Sequence, residues 1–208
     1  MASNSTGAVS SGLRNRFFII RHGLAESNVK GVLVSDPANG VDGYGLTDEG
    51  KEQAKQAAVQ FRSLLSDKEI NKIQLVSSDF LRTRQTAEIL HSELQLKRPI
   101  KFEPRIRERG LGSLELTPVS NVHDMWKSDE LDPTSAINGV ESVSSMTLRL
   151  TRVIKDYDTE YEDLVIVLVS HGDPCQCIHS FFIGLPPNEF RASNRMYGNC
   201  EIRELIDK

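Results

Sequence analysis

Three short apolar runs constrain this chain more than any other feature: Phe17-Phe18-Ile19-Ile20, Ile73 to Val76, and Leu164 to Val169. A brief run with little polar alternation marks a strand buried on both faces, and such a strand needs helices on each side of its sheet. Helical spacing fills the intervals. Ala54, Ala57, Ala58, Phe61, Leu64 and Leu65 follow Thr47, a good N-cap with Asp48 and Glu49 in the first turn. Ala87, Ile89, Leu90 and Leu94 follow Arg82, and Val143, Met146, Leu150, Val153 and Tyr157 precede the third run. Strands alternating with helices predict an α/β fold, a three-layer sandwich with a mainly parallel central sheet flanked by helices. Asp173 and Pro174 read as the N-cap and first residue of a further helix, and Cys200 to Ile206 as an edge strand.

Two stretches break the pattern. Gly31 to Gly45, with its Gly, Asp and Pro, reads as a loop, and Pro104 to Gly139, with prolines at 104, 118 and 133, as a small cap inserted between helices. Residues 1–14 are small and polar and predict a flexible tail; residues 15–208 form one domain, large enough to bury a core without covalent staples.

Charge narrows the partners. With 25 Lys and Arg against 29 Asp and Glu, the net charge is -4, which excludes a global attraction to nucleic acid or anionic membranes. The longest apolar run falls far short of the ~20 residues of a membrane helix. Cys175, Cys177 and Cys200 make neither a disulfide framework nor a metal site, so no metal and no cofactor is expected. No signal peptide is visible, and a cytoplasmic or nuclear location follows. Oligomeric state is left open.

The chemistry gathers where the runs end. The first delivers Arg21 and His22, the second is followed within a turn by Arg82, and the third delivers His171. Ligands of open α/β sheets bind at the carboxyl ends of the strands, so a pocket is expected there. Two arginines and two histidines converging in an acidic protein call for an anion, and a phosphate dianion matches arginine forks two oxygens at a time. Uncatalysed phosphomonoester hydrolysis needs up to ~10²¹-fold acceleration, whereas one general base supplies about 10²–10⁴. The site therefore needs a covalent shortcut as well as charge stabilisation. A neutral His22 supplies the first, the arginines the second, and Glu108 is the obvious acid for the leaving oxygen.

The motifs Arg21-His22-Gly23, Ser77-Ser78-x-x-x-Arg82-x-x-Gln85-Thr86-Ala87, Glu108-Arg109-x-x-Gly112 and Ser170-His171-Gly172 resemble the histidine phosphatase, or phosphoglycerate mutase-like, superfamily. The resemblance implies that His22 becomes phosphohistidine between the clamps Arg21 and Arg82. It implies that His171 donates to the phosphoryl oxygens, that Glu108 is the proton donor, and that Asn28 and Gly172 lie against the substrate phosphate. The family uses no metal for this step. Leu24-Ala25 departs from the pattern where an acid and a hydroxyl are usual, as do Val140 before Glu141-Ser142 and Leu116 after Glu115.

Three functions compete: a phosphatase acting on small phosphorylated molecules, a mutase, and a non-catalytic module that binds phosphorylated ligands. The mutases that the resemblance brings in carry a longer insertion between the acid and the second histidine than this chain has from Glu108 to His171, which favours hydrolysis. Asp173 rivals Glu108 as the acid, although capping a helix already explains it. His123, Trp126 and Lys127 lie in the cap, where specificity residues belong. His91 and His179 read as helix residues without function. Arg105, Arg107 and Arg109 either widen the positive field or pair with Glu103, Glu108 and Asp129.

Overall fold

The computed structural model describes residues 12–191 and 196–206. Its elements begin with β1 (Arg16–Arg21), followed by α1 (Glu26–Lys30), α2 (Pro37–Gly40), α3 (Asp48–Ser63) and α4 (Asp67–Ile70). Then come β2 (Ile73–Ser77), α5 (Leu81–Glu93), β3 (Lys101–Phe102), α6 (His123–Leu131) and α7 (Val143–Glu160). The chain ends with β4 (Val165–Ser170), α8 (Gly172–Phe182) and β5 (Ile202–Glu204). The strand order is β3-β2-β4-β1-β5, parallel except for β5 against β1.

The apolar runs divide between two layers because successive side chains in a strand point to opposite faces. Phe17, Ile19, Ile166 and Leu168 pack on one side with α7 and α8, while Phe18, Ile20, Val165, Val167 and Val169 pack on the other with α3 and α5. This is the expected three-layer α/β sandwich. Thr47 caps α3 by accepting from Gly50 N at 3.0 Å, and Ser142 caps α7 by accepting from Ser145 N at 3.1 Å.

Several boundaries differ from the sequence reading. Leu64 lies past the end of α3 and is exposed, whereas Phe61 is buried. The segment from 31 to 45 is not all loop, since Asp36 accepts from Ala38 N at 2.8 Å and starts the single turn of α2. Within 104–139, α6 and short 3-10 turns give the cap its frame. The regular strand of the C-terminal stretch is confined to Ile202–Glu204; Cys200, with a left-handed φ of 56°, precedes it and still donates its N–H to Arg21 O. The expected tail falls largely on residues 1–11, outside the described residues. Leu13 packs against the core and Arg14 N donates to Asp158 at 2.9 Å, so ordered contacts begin before residue 15.

Asp173 is not the N-cap of α8. The helix starts two residues earlier, with His171 in the cap position, and the Asp173 carboxylate instead accepts from Arg191 at 2.6 Å. Pro174 becomes the third helical residue, where a missing N–H still costs nothing, since the first four donors of a helix have no partner inside it.

The turn after β1 lies flat on the start of α3. A Cβ on Gly50 would sit 2.1 Å from Leu24 O, and one on Gly23 would sit 2.4 Å from Gly50 O. Both obstacles are backbone and cannot swing away. A glycine-to-alanine change inside a helix ordinarily stabilises by roughly 0.5–1 kcal/mol. Gly50→Ala is expected to do the opposite, losing about 1–3 kcal/mol in urea unfolding through steric strain.

Candidate active site

Parallel pairing brings the two histidines together. Arg21 lies opposite Ser170 in the β1–β4 register, so His22 and His171 are the next residues on neighbouring strands. Their ring centroids are 5.3 Å apart and the planes cross at 67°. Ser77 lies opposite Val169, and the first turn of α5 then swings Arg82 over both rings.

Arg82 Nε donates to His22 Nε2 at 3.2 Å and to His171 Nδ1 at 3.1 Å. Each acceptor nitrogen must be bare, so both protons sit on the opposite ring atoms. There, His22 Nδ1 donates to Gly23 O at 2.7 Å and His171 Nε2 donates to Ser78 Oγ at 2.9 Å. Burial and then the Arg82 charge push both histidines well below the usual imidazole value, with Arg21 acting in the same direction. His22 is thus a neutral imidazole with a fixed ring and a lone pair on Nε2.

Arg82 is 3% exposed and sends Nη2 to Val34 O at 2.9 Å, but its Nη1 has no partner. Arg21 Nη1 donates to Tyr197 O at 2.6 Å, and its buried Nε is likewise unpartnered. Buried polar groups without partners are uncommon and costly. Two such guanidinium donors lining the same pocket as His22 are of the kind that can receive an anion.

Glu108 is held from the backbone side. Its Oε1 accepts from Arg109 N at 2.9 Å, and Arg149 of α7 clamps the carbonyls of Arg107 and Glu108 at 3.0 and 3.3 Å. Burial raises the Glu108 pKa above the usual carboxylate value and Asp173 adds to that, against the opposing pull of Arg82 and Arg21. A carboxyl shifted in this direction holds its proton more firmly, which suits a proton donor.

These groups open into a pocket of about 330 Å³ lined by Arg21, His22, Arg82, Glu108, Asn28 and Gly172. His171 is fully buried behind it. Asn28 faces the pocket, but its Oδ1 accepts from Ala25 N at 3.0 Å and so also starts α1. Trp126 lines the pocket from the cap, whereas His123 and Lys127 do not. His91 bonds Arg98 O, and His179 packs edge-on against Tyr197.

The arginines after Pro104 follow the pairing alternative, with Asp79 rather than Glu108 as the partner of Arg107. Arg105 pairs with Glu103 and Asp156, Arg107 with Asp79, and Arg109, itself buried, with Asp129 at 2.6 and 2.7 Å. The reading from sequence missed the segment before β5. Tyr197 O holds Arg21, Cys200 N donates to Arg21 O at 3.1 Å, and Asn199 Nδ2 donates to His22 O at 3.3 Å. These contacts use backbone atoms on at least one side, so residue identity carries no signal for them.

The chain belongs to the histidine phosphatase superfamily (branch 1), whose family model matches residues 17–206. It is 29% identical over 193 residues to the "Probable phosphoglycerate mutase GpmB" of Enterobacter sp. (strain 638), covering 90% of this chain and 83% of that relative. The protein of the same name from Yersinia enterocolitica is 28% identical over 179 residues, covering 84% and 77%. Among solved structures, a mycobacterial glucosyl-3-phosphoglycerate phosphatase superposes with a TM-score of 0.71 at 24% identity, over 91% of this chain and 88% of that one. Phosphoserine phosphatase from Entamoeba histolytica does so with a TM-score of 0.72 at 20% identity, over 91% and 89%. At these identities the superpositions speak for the fold alone.

The lowered histidine pKa values carry a sign for stability. Below pH 6.5 the unfolded chain takes up protons that folded His22 and His171 refuse, so stability falls as pH drops from 6.5 towards their folded values. Each histidine contributes up to about 1.4 kcal/mol per pH unit in that window. His22→Asn should flatten the fall, read as urea midpoints between pH 6.5 and 5.

Proposed function

We propose that this protein is a phosphatase that hydrolyses phosphate monoesters of small molecules through a phosphohistidine on His22, in the cytoplasm or nucleus and without a metal. The observation that carries the reading is the pair of unpartnered guanidinium donors, Arg21 Nε and Arg82 Nη1, beside the bare Nε2 of a neutral His22. Arg82 Nε–H turns from His22 Nε2 to a phosphoryl oxygen, the freed Nε2 lone pair attacks phosphorus, the bond to the ester oxygen breaks, and Glu108 gives its proton to the departing alkoxide. The Glu108 carboxylate then takes a proton from water, which attacks phosphorus and breaks the P–N bond. Phosphate leaves, and His22 is neutral again. Arg21 and Arg82 hold the equatorial oxygens throughout, and Asn28 and Gly172 border the same end.

His171 needs one adjustment to act as a donor. Its Nδ1 accepts from Arg82, so it gives a proton to a phosphoryl oxygen only after taking one up. A dianion placed beside it favours that uptake, since an opposite charge raises an imidazole's proton affinity.

A second reading is a mutase, in which the phosphohistidine returns its phosphoryl group to a substrate hydroxyl; the names of the GpmB relatives favour it. Against it, the described pocket lining offers no cation beyond Arg21 and Arg82 for the further anionic group of a phosphoglycerate, while Asp173 adds a carboxylate.

Hydrolysis of p-nitrophenyl phosphate in EDTA tests the proposal. Wild type is expected to turn over and His22→Ala to lose on the order of 10⁴-fold or more. Glu108→Gln should cost about 10²–10⁴-fold on an alkyl phosphate and far less on the nitrophenyl ester, whose leaving group needs no proton. Turnover in a 2,3-bisphosphoglycerate-primed mutase assay well above hydrolysis would reverse the choice. Phosphate binding with no His22-dependent rate would leave only a binding module.

The same assay checks the partner of the acid. Removing the Asp173 charge favours ionisation of Glu108. Asp173→Asn should therefore move the alkaline limb of the kcat profile to lower pH, whereas an acid role for Asp173 itself would abolish the activity.

A further inference from the structure

The pocket has two ends of opposite chemistry. Arg21, Arg82 and His22 make the inner end, and the outer wall is made by Val32, Leu111, Val119, Val122, Met125 and Trp126. Most of that wall comes from the cap. At the rim, Val119 is 48% exposed and Met196, which also lines the pocket, is 59% exposed. Large apolar side chains gathered around a pocket mouth mark the place where an apolar group is received. The charges point the same way: among the described lining residues, those other than Arg21 and Arg82 are Glu108 and Asp173, both acidic. Asp173 is already matched by Arg191 at 2.6 Å, and Arg191 in turn lies 4.6 Å from the centre of the Trp126 ring. A second phosphate or a carboxylate on the substrate would meet an apolar wall with no cation among the described lining residues besides Arg21 and Arg82, where desolvation has no return. At about 330 Å³ the space is near the lower bound for small-ligand sites, enough for a phosphoryl group and a short chain or single ring.

We infer that the substrate is a phosphate monoester of a short apolar alcohol with no second anionic group close to the ester. The inference rests on the phosphatase reading for its chemistry but not for its binding test. In the reaction the P–O bond breaks, the apolar alcohol leaves with the proton from Glu108, and water supplies the fourth oxygen of the released phosphate.

Trp126 is the sole tryptophan of the chain and stands in the wall, so its fluorescence reports occupancy. Methylphosphonate, butylphosphonate and phosphonoacetate, whose P–C bonds are not cleaved, would be titrated with calorimetry alongside, and each displaced with inorganic phosphate. Each methylene that enters the wall is worth up to about fourfold in affinity. Butylphosphonate is expected to bind at least tenfold more tightly than methylphosphonate, and phosphonoacetate more weakly than either. Equal affinities for the methyl and butyl compounds, or a preference for phosphonoacetate, would overturn the inference. Turnover of butyl phosphate against glycerol 3-phosphate, esters with similar leaving groups, separates the two readings. Selective butylphosphonate binding with no hydrolysis of any ester would sink the phosphatase and keep the apolar site. Hydrolysis of p-nitrophenyl phosphate with no preference among the phosphonates would keep the phosphatase and sink the apolar site.

Discussion

The site depends on one donor, the Nε–H of Arg82, shared between His22 Nε2 and His171 Nδ1. A guanidinium this deeply buried requires acceptors, and a neutral imidazole offers one only on the nitrogen without a proton. Sharing the donor therefore decides the tautomer of both rings, and Gly23 O and Ser78 Oγ complete the decision from behind. Burial depresses the Arg82 pKa to about 10, which still leaves it a cation near neutrality, so its field helps keep the histidines uncharged. The cost of the arrangement lies in the unmade bonds of Arg82 Nη1 and Arg21 Nε, and an anion removes it.

Nothing in that cluster would meet without the parallel sheet. His22 and His171 are 149 residues apart in sequence and become neighbours because Arg21 and Ser170 are partners in the ladder. The cap is fixed separately, by charge. Arg109 and Asp129 join the strand-end segment to α6 with two short bonds, and Arg191 connects Asp173 to the face of Trp126. Breaking one partner of such a buried pair strands the other, which holds the cap in one register over the pocket. The arginines after Pro104 thus serve cohesion, and the positive field at the pocket comes from Arg21 and Arg82.

What could be read from the sequence follows from how each contact is made. The central strands were legible because burial on both faces leaves no polar alternate, as in Phe17 to Ile20 and Leu164 to Val169. The helices α3 and α7 were legible through spacing and through the caps Thr47 and Ser142. Arg21, His22, Arg82, Glu108 and His171 could be assembled because strand ends converge. The two-residue β3 and the helix α6 were not legible, the first because it is too short for a period and the second because its buried face is small. Asp173 misled for a physical reason: its bond to Arg191 comes from a residue 18 positions away, and a local capping rule cannot foresee a distant competitor.

The pocket's two ends also come from different parts of the chain, and this bears on how such a fold acquires its substrates. The inner end uses strand termini whose geometry is locked by the sheet, where a change in one residue disturbs two histidines and two arginines together. The outer wall uses residues 111–126 and 32–34, joined to each other by the isolated bridge Val32–Pro118 and to the rest by the bridge Leu111–Val140 and, through α6, by the Arg109–Asp129 pair. Side chains there can change without touching Arg82. One end of the pocket is thus set by the sheet and the other by the cap, and the two can vary separately.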